Sequence, residues 1–351
     1  MKFLLVTLGS VGDILPFLGV AETLRQRRHR VIIASNAGYG PLVRASGFEF
    51  AAIWQREQQS LDGLIEQNPA AAWAAVHRDM FAPATKPARE FIAQHRGDCV
   101  VLASWTAFGA RLAQQELGVP LCNIYLSPGA VEQDASRPVD GPTLRNLGLF
   151  PDWFGEVPGV HACGFPLLDD AQIPPLPPEL EAFLAQGPPP VIFTPGSFMR
   201  GGHRFFQQSL IACEKLALRA VFLTPYREQL PVQLPASVAH FKYVALQRLA
   251  PRSTVLVHHG GIGTCAQGLR AGTPQLVTPL FFDQPDNAAR LVTLGVAASI
   301  PARAYGGDEA AAKLQDLPAS PSVKQHCARV RERFSHQDGF AQICDIAESL
   351  A

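Results

Sequence analysis

Charge of one sign is the first thing this 351-residue sequence lacks: lysine plus arginine number 30, and so do aspartate plus glutamate. That balance gives no electrostatic case for nucleic acid or an anionic membrane surface as a partner. Metal-ligand spacing is missing too. The seven cysteines, Cys99, Cys122, Cys163, Cys213, Cys265, Cys327 and Cys344, form no C-x-x-C, and read as reduced, mostly buried thiols of a cytosolic protein. With no Asp-x-Asp and no His-x-x-x-His either, the sequence offers no metal site, and no cofactor is expected beyond the substrates. No apolar run is long enough to span a bilayer. The run at the start is broken by Asp13 and a glycine turn, so it reads as a strand and a helix instead of a signal peptide. What remains is enough chain for two domains, each with its own core.

The stretch that organises the chain runs from Thr254 to Asn287. Thr254–Val257 is an apolar, β-branched strand, His258-His259-Gly260-Gly261-Ile262-Gly263-Thr264 is a turn without bulk, and a helix follows to Gly272. Glycines let an anion approach the main chain, the start of a helix leaves unpaired N–H donors at the positive end of its dipole, and Thr264 adds a hydroxyl. Histidine at the strand end supplies another donor. After the second strand, Gln275–Leu280, Asp283 and Gln284 stand where a ligand reaching past its phosphates presents hydroxyls. The arrangement suits a nucleotide sugar. Two other readings stay open. Gly261–Ala266 also fits the G-x-G-x-x-A turn of a nicotinamide-dependent oxidoreductase, with Asp283 about twenty residues on in the place of the ribose-binding acid. A tight turn without any ligand is the other.

Residues 2–8 read as a strand buried on both faces, followed by the turn Gly9–Asp13 and a helix with Pro16 in its first turn and Leu15, Leu18, Ala21 and Leu24 on one side. Val31–Ser35, Phe48–Ile53, Cys99–Ser104 and Leu121–Leu126 continue as strands alternating with helices, which predicts an α/β fold. The texture turns to proline, glycine and short polar runs between Pro128 and Pro190, and the domain boundary is placed there. Strands Val191–Thr194, Ala220–Leu223 and Val238–Val244 restart the alternation. The predicted organisation is an N-terminal domain of residues 1–172, a C-terminal domain of 173–335 and a final helix within 336–351. The two domains would be Rossmann-like parallel sheets facing across a cleft, with ligands at the carboxyl ends of their strands.

Asp13, at a strand-to-helix turn, fits a general base or a residue capping the helix it precedes. Ser197, after Val191–Thr194, fits a phosphate contact or a solvent-facing turn. Tyr243 offers a surface for a nucleotide base and Val244 its main chain, although aromatics in strands are commonly core. All four tryptophans, Trp54, Trp73, Trp105 and Trp153, fall in the first half. With phenylalanines such as Phe108 they line an apolar acceptor pocket or pack the core.

The pairing of Gly9-Ser10-Val11-Gly12-Asp13-Ile14-Leu15-Pro16 with His258–Thr264 and Asp283-Gln284 resembles the UDP-glycosyltransferase superfamily of GT-B fold. Bacterial members resemble it most: sterol and glycopeptide glycosyltransferases and the rhamnosyltransferase subunit of rhamnolipid synthesis, through Thr7–Phe17, Gly109–Pro128, Gly164–Leu167 and Val255–Leu294. The resemblance implies inverting, metal-independent transfer of a hexose, glucose or rhamnose, from a UDP- or dTDP-sugar on the C-terminal domain to a lipophilic hydroxyl on the N-terminal domain. Asp13 would be the base, where many relatives carry histidine, with Ser10, Trp54, Trp105 and Phe108 on the acceptor side. His259, or its rival His258, would bind the diphosphate with Gly261, Gly263, Thr264 and Ser197. Asp283 and Gln284 would hold the sugar, and Tyr243 and Val244 the base. Gln267 stands where relatives using UDP-glucose place a glutamate on the ribose, which leaves dTDP-sugars open. The last helix would cross back onto the first domain, and the stretch after Pro128 is shorter than the family pattern. The protein would be cytosolic or peripherally associated with a membrane. A non-catalytic partner keeping the fold is a further alternative, against which Asp13, His259, Asp283 and Gln284 stand together.

Overall fold

The computed structural model describes residues 1–55, 68–167, 173–196, 199, 201–336 and 339–351. They fall into two compact units, one built from residues 1–55, 70–167 and 339–351, the other from residues 173 to 336. Each is a parallel sheet with helices on both faces.

The first unit has seven strands: β1 (Lys2–Val6), β2 (Arg30–Asn36), β3 (Glu49–Trp54), β4 (Cys99–Ser104), β5 (Leu121–Tyr125), β6 (Leu144–Gly148) and β7 (His161–Ala162), in the order β3-β2-β1-β4-β5-β6-β7. Because successive side chains point to opposite faces, the apolar run of β1 serves two cores. Phe3 and Leu5 pack with Ile14 and Phe17 of the Val11–Gln26 helix and with Ile343 of the Gly339–Glu348 helix. Leu4 and Val6 pack with Ala88 and Ala110, from the Ala82–Gln94 and Phe108–Leu117 helices. The final helix is thus part of this unit. Phe340 occupies the space that a side chain at Gly19 would need, and Arg27 bonds Asp345 at 2.6 Å and Glu348 at 2.9 Å.

Several elements differ from the sequence reading. The Pro128–Gln133 helix, β6 and β7 lie in the stretch read as irregular. Polar residues hide their pattern: Asn146, in β6, is buried because its side chain accepts from Asn123 at 3.0 Å and donates to Asp140 at 2.8 Å. The first helix begins at Val11, so Pro16 lies beyond its first turn. Ile14, Phe17 and Val20 face the core while Leu15 is exposed.

In the second unit β8 (Val191–Thr194), β9 (Ala220–Leu223), β10 (Val238–Phe241), β11 (Val255–His258), β12 (Gln275–Val277) and β13 (Ala297–Ser299) run in the order β10-β9-β8-β11-β12-β13. β10 stops at Phe241, short of the expected Val244, because the chain bends at Lys242 toward the short Leu246–Leu249 helix. No helix among the described residues is long and apolar enough to cross a membrane.

Candidate functional site

In open sheets of this kind ligands bind beyond the carboxyl ends of the strands, where the strand order reverses. That point lies between β1 and β4 in the first unit and between β8 and β11 in the second. The two motifs singled out from the sequence follow β1 and β11.

In the second unit the two histidines divide the work. His258 ends β11 fully buried, its Nε2 2.8 Å from Gln275 Oε1 and its Nδ1 accepting from the Gly260 N–H at 3.1 Å. Both ring nitrogens are committed within the fold, so His258 shapes the turn and is not free to meet a diphosphate, which corrects its candidacy as a ligand. Burial, helped by the neighbouring His259, lowers its pKa to about 3. His259 is half-buried, and its ring fills the space that a side chain at Gly196 or Gly261 would take; at Gly196, φ +94°, an added Cβ would lie 2.7 Å from His259 Cε1. These glycines let the β8 and β11 loops close on the imidazole. Burial lowers the pKa of His259 to about 4, so it is neutral near pH 7, and among the described residues its buried Nδ1 has no hydrogen-bond partner.

The Ile262–Ala271 helix then starts at Gly261 with no side-chain cap, and Gly263 is exposed with open space where its Cβ would be. The N–H groups of a helix's first turn find no acceptor within it, which is the anion-receiving arrangement expected at Gly261 and Gly263, whereas the Thr264 N–H already donates to Gly261 O at 3.0 Å. The same turn is tied to the Asp283 loop: Asn287 Nδ2 donates to Gly260 O and to Asp283 Oδ2, each at 3.0 Å. Gln284 Oε1 accepts from the Leu280 N–H at 3.0 Å, so its carbonyl is spent inside the loop. Phe282, just before Asp283, holds φ 65°, a conformation that costs a side-chain-bearing residue about 1 kcal/mol or more. Tyr243 is 74% exposed beyond β10, whereas the Val244 side chain is in the core with Phe241 and Leu249. Gln267 lines a recess with Gln247, Arg270 and Arg331, and among the described residues its buried Oε1 has no partner. Ser197 lies outside the described residues.

In the first unit Ser10 caps the first helix and Asp13 is its third residue, inside the helix and not preceding it as expected. The Ser10 N–H donates to Asp13 Oδ2 at 2.6 Å, and Ser10 Oγ does so at 2.8 Å. Ser10 therefore positions Asp13 and has its own hydroxyl committed. Tyr39 Oη donates to Gly9 O at 3.1 Å, and burial together with the Asp13 charge pushes its pKa up to about 12. Trp105 is buried between the rings of Trp73 and Tyr125, at 6.2 Å from each, so it is a wall of the core. Trp54 and Phe108 are half-buried around the same cluster.

Comparison with known proteins fits both halves of this picture. The sequence model of the glycosyltransferase family 28 N-terminal domain matches residues 3–130, and that of the erythromycin biosynthesis protein CIII-like C-terminal domain matches residues 221–350. The chain belongs to the UDP-glycosyltransferase superfamily. Among relatives, this glycosyltransferase is 27% identical over 422 residues to O-mycaminosyltylonolide 6-deoxyallosyltransferase of Streptomyces fradiae, covering 100% of this chain and 98% of that protein. It is 21% identical to a sterol 3-beta-glucosyltransferase of Saccharomyces cerevisiae, covering 96% of this chain but 34% of the yeast protein. The GT-B fold is shared with the spinosyn rhamnosyltransferase SpnG complexed with thymidine diphosphate, at a TM-score of 0.78 and 18% identity over 99% of this chain and 100% of that one.

Three features of the structure escaped the sequence reading. Asn287 had a signal, since it lies one helical turn after Asp283. Arg204 follows a glycine loop closely enough to have been found. A buried cluster of Arg111, Tyr125 and Asp134 had none, because its members lie in separate elements.

The state of His258 makes the enzyme acid-sensitive. Folding holds its pKa near 3, below the usual 6.5. Its contribution is therefore fully present above about pH 6.5 and is lost as pH falls toward 3, by up to about 1.4 kcal/mol per pH unit. Urea denaturation between pH 7 and pH 4 is expected to show this slope together with that of His259, whose pKa also falls, to about 4, and His258→Gln to remove about half of the total. An equal slope in the variant would assign the acid sensitivity elsewhere.

Proposed function

We propose that this glycosyltransferase moves a hexose, glucose or rhamnose, from a UDP- or dTDP-sugar to the hydroxyl of a lipophilic small molecule with inversion and without a metal ion. The observation that carries the donor half is the β11 turn, where an uncapped helix start and a neutral His259 with an unpartnered nitrogen come together at the strand-order reversal. Asp13 takes the proton of the acceptor hydroxyl through its carboxylate, the oxygen attacks the anomeric carbon, and the bond from that carbon to the diphosphate breaks. A single displacement of this kind inverts the centre. His259 and the N–H groups of Gly261–Gly263 receive the leaving diphosphate. Asp283 and Gln284 meet the sugar, Tyr243 the base and Gln267 the ribose. Acceptors of varied chemistry in the names of the relatives, O-mycaminosyltylonolide and a sterol, support a lipophilic one here, held against Trp54, Phe108 and the Trp105 wall. The thymidine diphosphate of the SpnG complex supports dTDP alongside UDP.

Calorimetric titration with UDP, dTDP and NADH tests the reading. Binding of UDP or dTDP, weakened at least about tenfold in His259→Ala (roughly one charge-assisted hydrogen bond), is the expected result. Binding of NADH alone would overturn it in favour of hydride transfer.

A further inference from the structure

A recess in the second unit is lined by His259, by Gly202 at the start of the His203–Lys215 helix, by Arg204 two residues further, and by Thr278, Leu280 and Ala302 beyond β12. A departing diphosphate brings at least two negative charges into such a place. His259, neutral near pH 7, donates a hydrogen bond without offsetting them. Among the described residues lining the recess, Arg204 carries the only full charge.

Its placement is fixed. Arg204 Nη1 donates to Ala302 O at 3.0 Å and Nη2 to Arg303 O at 3.5 Å. Two carbonyls thus hold one edge of a five-donor guanidinium, which leaves N–H groups on the remaining positions for an anion. Gly202 adds a second favourable term, since the helix it opens has no side-chain cap and its positive dipole end is at the recess. Phe205 stacks on buried Tyr305, with ring centroids 5.3 Å apart and planes at 20°, and Tyr305 Oη lies 2.9 Å from Ser209 Oγ. This packed floor keeps the start of the helix from drifting.

We propose that Arg204 binds the diphosphate of the donor directly and supplies the positive charge that stabilises it as it leaves. The inference rests on the nucleotide-sugar reading for the identity of the ligand, and on the recess alone for its chemistry, that of two linked phosphates. Arg204 then acts on the part of the nucleotide beyond the first phosphate. Thymidine and dTMP gain little from it and dTDP gains much.

The test is calorimetric titration of the whole protein with thymidine, dTMP, dTDP and inorganic pyrophosphate, each against wild type, Arg204→Gln and Arg204→Lys. Arg204→Gln is expected to weaken dTDP and pyrophosphate by about 10- to 100-fold, the scale of a charge-assisted pair, and to leave thymidine and dTMP within about twofold, small beside that scale. Arg204→Lys keeps the charge and is expected to restore part of the loss. A merely structural role, holding the 302–303 loop, predicts no rescue by lysine and equal losses for dTMP and dTDP; that pattern overturns the proposal. So does unchanged affinity for pyrophosphate and dTDP in Arg204→Gln, or wild type that binds neither. Pyrophosphate binding that depends on Arg204 without any nucleotide binding upholds the diphosphate site and rejects the nucleotide-sugar reading.

Discussion

Asp13→Asn is expected to lower turnover by about 100- to 10,000-fold, the usual worth of a positioned general base, while the affinity for UDP or dTDP stays as it is. The substitution separates the proposed base from the cap that the structure shows. Asp13 Oδ2 accepts from the Ser10 N–H and hydroxyl and so completes the cap of the first helix. Asparagine keeps a carbonyl oxygen for those donors, so the helix start survives with a loss of at most about 1 kcal/mol. What asparagine cannot do is accept the acceptor's proton. A large fall in kcat, with an unchanged melting temperature and nucleotide Kd, assigns the base. Near-normal turnover would leave Asp13 with the cap alone and send the search for the base elsewhere in the first unit.

The second large effect is on stability. Arg111 is held by both oxygens of Asp134, Tyr125 Oη donates to Asp134 Oδ2 at 2.7 Å, and Asn123 Nδ2 donates to Tyr125 Oη at 2.8 Å, all within the buried interior of the first unit. Burial works against the Asp134 charge, but the bonds from Arg111, Tyr125 and Ser136 outweigh it and hold the carboxyl below its ordinary range. Burial, with that carboxylate beside it, raises the Tyr125 phenol far above its usual pKa. Asp134→Ala leaves the guanidinium uncompensated, at a cost of about 3–5 kcal/mol, or a melting point lower by roughly 10 °C for a unit of this size. Replacing the group together, as Arg111→Met, Asp134→Leu and Tyr125→Phe, removes the charges along with their desolvation and is expected to recover most of the loss. Calorimetry on the two variants decides it: a loss below about 1 kcal/mol for Asp134→Ala would mean that water reaches the arginine and that the pair is not the tie it looks to be.

What the sequence could announce was local. Lys2–Val6 and Val255–His258 are apolar runs whose strand character needs no distant partner, and Gly272 at φ +69° ends its helix as a glycine after an apolar-periodic segment should. The turn after β11 was legible to the same depth, since it lies within a few residues, whereas the cap was expected at Asp13 and is made by Ser10. Distance in sequence set the limit. Nothing near Arg111 names Asp134, and nothing in His258-His259 says which ring turns inward, because Gln275, which captures His258, lies 17 residues on. β6 and β7 escaped because their polar residues break the apolar run: Asn146 accepts from Asn123 of β5, and Asn146 and His161 both meet Asp140.

The final helix has a consequence for how the molecule is made. Its side chains complete a core begun by the first strand: Ile343 and Cys344 pack with Phe3, Leu5 and Val20, and His29 meets Glu348 at 2.8 Å. During synthesis, residues 173–336 leave the ribosome as an uninterrupted segment and have all of their own sheet, while the segment translated before them still lacks its last layer. The usual N-terminal-first order is therefore reversed in one step: the second unit can close while the first waits, with the groove along its first helix uncovered, until the Gly339–Glu348 helix has been translated.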